Sequence, residues 1–98
     1  MQHDPQKEEY TRTHEEQLAH WRKLRARLEQ RATDTVGDAR EEMRRATQEL
    51  NRHETNAELR LTDLKEATND AWDDMKTGFE KAWSDLEKSA NLARSHFE

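Results

Sequence analysis

Apolar residues are sparse along this chain, but they fall on a helical grid. From Tyr10 onward, Leu18, Trp21, Leu24, Leu28, Ala32, Val36, Ala39, Met43, Ala46 and Leu50 are spaced to share one narrow stripe, as side chains on one face of an α-helix are. In the middle of the chain the spacing is a heptad. Val36, Met43, Leu50, Ala57, Leu64 and Ala71 recur every seven residues, with Ala39, Ala46 and Ala67 three residues after members of that series. Small alanines at such positions predict close helix approach. Past residue 60 the period lengthens to eleven. Leu61, Trp72 and Trp83 form one row, Leu64, Met75, Leu86 and Phe97 a second, and Ala71, Ala82 and Ala93 a third. Segment 61–97 therefore reads as an 11-residue repeat, three turns at about 3.67 residues per turn, suited to nearly straight packing. Its wider, more aromatic stripe makes it the predicted hydrophobic centre of an assembly.

Asp4-Pro5 followed by Glu8 and Glu9 is a helix start: a capping acceptor, proline at the first helical position, and acids near the positive end of the dipole. Two stretches could turn the chain, Thr33–Asp38 around Gly37 and the polar Asn51–Asn56. A turn at Asn51–Asn56 would set Tyr10 near Phe97, Trp21 near Trp83 and Leu28 near Met75. The heptad nevertheless runs through both stretches without losing phase, as a single long helix requires. The predicted fold is all-α: long amphipathic helices in an antiparallel coiled coil, either a helical hairpin or one continuous helix, self-associating, in a single domain over 1–98 with a disordered terminus at 1–4. The residues predicted to carry self-association are Trp21, Leu24, Leu28, Met43, Leu50, Leu61, Leu64, Trp72, Met75, Phe79, Trp83, Leu86 and Phe97.

Composition sharpens this picture. Only 31% of the 98 residues are hydrophobic and 40% are charged, which argues for an apolar stripe rather than a compact core. The chain holds two glycines and one proline, leaving little to punctuate strands or turns. Without cysteine there is no disulfide or thiolate site. The first ten residues carry no hydrophobic leader, and no apolar run reaches the roughly 20 residues of a membrane span; a cytoplasmic protein is the expectation. The net charge of −5 argues against nucleic acid as a partner.

Candidate chemistry is thin. His20 and His53 each follow a glutamate (Glu16, Glu49) by four residues; di-iron bundles use three-residue spacing instead. His53 also sits on the heptad seam, where a polar residue sets register. Met1-Gln2-His3 suits a square-planar cation if the terminus is free. The basic cluster Arg22, Lys23, Arg25, Arg27 and Arg31 is expected to pair with Asp70, Asp73, Asp74, Glu80 and Asp85 across an antiparallel contact. Ser84, Ser89 and Ser95 have no nucleophile elbow, and no glycine-rich loop holds phosphate. No catalytic, cofactor or metal residue is therefore predicted.

Glu9-Tyr10, Leu18-Ala19-His20-Trp21, an alanine-spaced charged middle, and Leu64 to Phe97, with its AW-DL-like unit repeated at eleven residues, together resemble a family of small bacterial coiled-coil proteins, some labelled stress-response proteins. The resemblance implies a helical rod with a stress association and no settled biochemical activity. The leading expectation is a structural or interaction protein that homo-oligomerises, its other partners unnamed. The alternative is an amphipathic protein of lipid or membrane surfaces, since such repeats with aromatics and lysines at the stripe edge also resemble the helices of exchangeable apolipoproteins.

Overall fold

The computed structural model describes residues 4–98. It is all-helical: α1 spans Pro5–Thr33, α2 Asp38–Glu66 and α3 Asn69–Phe97, each 29 residues long. Among the described residues there is no strand. The hairpin and the continuous rod are both corrected: the chain turns twice and forms three helices.

The helix boundaries follow local chemistry. The Asp4 carboxylate accepts the amides of Gln6 (2.9 Å) and Lys7 (3.4 Å), as the sequence predicts. Residues 1–3, and with them the Met1-Gln2-His3 arrangement, lie outside the described residues. The first turn falls at the predicted Gly37, whose φ of 73° and ψ of −148° belong to a region open essentially to glycine alone. The second turn is at Ala67-Thr68, of which periodicity assigned Ala67 to the heptad. Both residues are extended (φ −68°, ψ 141°; φ −71°, ψ 167°), and the Thr68 hydroxyl accepts the Ala71 amide at 3.3 Å. Asn51–Asn56, the other predicted turn, is the interior of α2. Its polar residues are accommodated in helix because most of them face solvent.

Ion pairs give the directions. Arg22–Glu58 (2.5 Å), Arg25–Glu54 (2.5 Å) and Glu15–Lys65 (2.6 Å) oppose rising numbers in α1 to falling ones in α2. His96 and Glu42 lie 3.8 Å apart, which sets α3 antiparallel to α2. Contacts Lys7–Asn69 (2.7 Å) and Arg27–Glu98 (3.0 Å) make α1 and α3 parallel. The Tyr10–Phe97 juxtaposition is therefore also corrected; Tyr10 meets Trp72 and Phe79 at ring distances of 6.0 and 6.1 Å.

The bundle measures 54 × 19 × 17 Å and, against the compositional expectation, has its own core. Leu24, Leu28, Leu50, Leu64, Phe79 and Leu86 are the largest wholly buried side chains. A third helix supplies the apolar area that two narrow stripes cannot. Helices α2 and α3 approach each other most closely and α1 and α3 least. Small residues explain the first: Ala46 and Ala93 share a groove and Gly78 faces Arg60. Rings explain the second, because His14 lies 5.0 Å from Phe79 and 4.8 Å from Trp83 in the α1–α3 seam.

Candidate interaction surface

Of the thirteen residues predicted to carry self-association, ten are buried by the chain's own helices: Trp21, Leu24, Leu28, Met43, Leu50, Leu61, Leu64, Phe79, Trp83 and Leu86. Trp72 and Phe97 pack against the core edge, and Met75 is 40% exposed. Val36, on the predicted seam, is 82% exposed in the α1–α2 connection. What remains for other molecules is the surface those residues do not occupy.

Three features of the bundle stand out. The first is the rim of the aromatic seam. Lys7 lies 5.0 Å above the Trp72 ring and Lys76 4.9 Å above Tyr10, so ammonium groups cover the exposed ring faces. Burial pushes the Tyr10 phenol up to about 12, helped by the charge of Glu80 and its hydrogen bond.

The second is a polar insertion in the α1–α2 contact. Glu54 is 2% exposed, and Arg25 donates to it at 2.5 Å and to Glu29 at 2.7 Å. Burial raises the Glu54 carboxyl above its usual range, and Arg25 and Arg22 pull it back only in part. One Glu54 carboxylate oxygen and the Trp21 indole N–H are buried without a hydrogen-bond partner among the described residues. Arg25 was expected to pair with acids of the C-terminal repeat. It meets α2 instead because the turn at Gly37 lays α2 antiparallel to α1, while the turn at Ala67-Thr68 returns α3 parallel to α1.

The third is an open groove of about 320 Å³ between α2 and α3, on the side away from α1. Its floor is Ala46 and Ala93, its wall is Leu92, and Glu42, Arg45 and Glu49 edge it. Leu92 is 70% exposed. Periodicity passed over Leu92 because it lies off the apolar rows; Leu59, 61% exposed, is off them too, and what distinguishes Leu92 is the groove it lines.

Among the described residues the histidines gather no ligand set. His53 Nε2 lies 3.3 Å from Glu49, a contact within one helix. His20 lies tilted against Trp21, with ring centres 5.4 Å apart. Among the described residues no three of His, Cys, Asp and Glu are placed to hold a metal ion, and no helix is long and apolar enough to cross a membrane. In comparisons with known proteins, the chain matches no family model, no curated protein and no solved structure.

Proposed function

We propose that this chain is a non-catalytic helical interaction module that associates with copies of itself through the outer surface of its bundle, as the coiled-coil resemblance, with its stress association, also suggests. The observation that carries the reading is the α2–α3 groove. It leaves Leu92 largely in water beside alanines, although the same bundle buries ten of its larger apolar side chains completely or nearly so. A leucine 70% exposed contributes little to the fold it sits on, and covering its apolar area contributes to binding.

Light scattering behind size exclusion tests this over a concentration series. The apparent mass is expected to rise from 11.7 kDa toward twice that value as concentration approaches roughly 1 mM, where weak interfaces associate. A constant monomer mass throughout contradicts self-association. The lipid-surface reading needs the bundle to open, because Phe79, Trp83 and Leu86 of the repeat face the chain's own core. Co-flotation with vesicles, accompanied by a change in tryptophan emission, would favour that reading instead.

A further inference from the structure

Along α2, Glu42, Arg45, Glu49 and Arg52 follow one another at three- and four-residue steps. At about 100° per residue they share a stripe of roughly 80° on the outer face. The signs alternate: minus, plus, minus, plus. This pattern is antisymmetric about a point near residue 47, so a second α2 laid antiparallel across it sets Arg45 against Glu49 and Glu42 against Arg52, each pair occurring twice. A parallel arrangement would set every charge against its own copy. Leu92 lines the same groove as Arg45, Ala46 and Glu49, which puts the exposed leucine at the level of the same point.

We infer that the α2–α3 face is a two-fold, antiparallel docking surface for a second copy of this chain, centred on Leu92 and Ala46 and held in register by the Arg45–Glu49 pairs between copies. This assignment rests on the self-association reading above and names its surface and geometry. Arg45 has no ion-pair partner among the described residues, whereas Arg44 on the next position is paired with Glu41 at 3.1 Å. Glu49 holds Arg52 and His53 within its own helix; it is half-exposed and can accept a further cation. The two-fold arrangement satisfies closure, since the same patch serves both partners.

The expected strength follows from the overlap. An antiparallel pair centred on residue 47 overlaps over residues 38–56, about 28 Å of helix at 1.5 Å per residue. Across a bundle 19 Å wide, that covers on the order of 1,000 Å² counting both partners, the lower limit for a specific complex. The dimer is therefore weak and reversible, and its pairs at the rim are sensitive to salt.

Sedimentation equilibrium on the full chain tests the register by charge exchange. Arg45→Glu puts acid against acid at two symmetric places and is expected to weaken dimerisation about tenfold or more. The double variant Arg45→Glu, Glu49→Arg restores opposite charges and is expected to recover affinity to within about threefold of the parent. Leu92→Glu should abolish dimerisation with the thermal unfolding of the monomer unchanged, which separates interface damage from misfolding. If the parent dimerises but Arg45→Glu leaves it intact, or the double variant is weaker than the single, the inferred register is wrong while self-association stands. If the parent never exceeds monomer mass, the underlying reading fails with it.

Discussion

Replacing Arg25 with methionine strands the Glu54 carboxylate in the contact between α1 and α2. The Glu54 side chain is 3% exposed and Arg25 contacts it at 2.5 Å, so the variant leaves a buried charge without its main counterion. Removing one partner of a buried pair costs about 3–5 kcal/mol. The lower end applies here, because the Arg25 side chain itself is 24% exposed and Arg22 still acts on the carboxylate. A loss of about 3 kcal/mol lowers the melting temperature of a domain this size by roughly 12–24 °C. The pH dependence has a definite sign. Because the folded Glu54 pKa is raised above 4.5, its contribution to stability is fully present below 4.5 and is lost as pH rises through the folded value. Without Arg25 that folded value rises further, so the deficit of Arg25→Met should be smaller at pH 5 than at pH 7. Urea unfolding followed by circular dichroism at both pH values measures it. A deficit under about 1 kcal/mol, or one equal at both pH values, would refute the argument. Converting both partners to methionine should recover most of the loss, since an apolar pair of similar volume is often neutral or stabilising.

Other expectations are read in the same kind of experiment. Gly37→Ala forces a Cβ into a positive-φ conformation and should cost about 1–3 kcal/mol, whereas Gly78→Ala, whose Cβ would meet only the Arg60 side chain at 3.8 Å, should add about 0.5–1 kcal/mol; a reversed order in thermal melts refutes the turn assignment. Leu50→Ala, at a wholly buried position, should cost about 2–5 kcal/mol, while Leu92→Ala should leave monomer unfolding within about 0.5 kcal/mol. Tyr10 is the single tyrosine, so ultraviolet titration reports it alone. Its phenol should ionise near 12 rather than 10, with the stability it contributes lost as pH rises through that range.

Helical periodicity made the helices legible, and most of the core with them: Leu18, Leu24, Leu28, Leu50 and Leu64 are buried where the stripe puts them. Gly37 was legible as a turn because a positive φ needs that residue type. Ala67-Thr68 was not, since Ala67 fits the heptad and Thr68-Asn69-Asp70 signals a helix start only to a reader who already doubts the continuity of the seam. The two turns together account for the misassigned pairings. The Gly37 turn lays α2 antiparallel to α1, so Arg22 and Arg25 find Glu58 and Glu54, and the Ala67-Thr68 turn returns α3 parallel to α1, so Tyr10 meets Trp72 instead of Phe97 and Arg27 meets Glu98. Periodicity also could not distinguish burial within a chain from burial between chains. The same apolar stripe serves a rod that needs partners and a bundle that covers itself, and the choice depends on where the chain folds back. The groove at Leu92 was hidden for the opposite reason: an exposed leucine outside the stripe breaks the pattern that periodicity follows.

A chain of this kind would fold alone and then associate through its outer face, as proposed above. Mass and helicity measured together on one dilution series address both halves. Helicity should stay constant from about 1 mM to about 1 μM while the mass falls from dimer to the 11.7 kDa monomer. Helicity that falls in step with mass would mean that the helices need a partner to form, and would contradict the self-contained bundle.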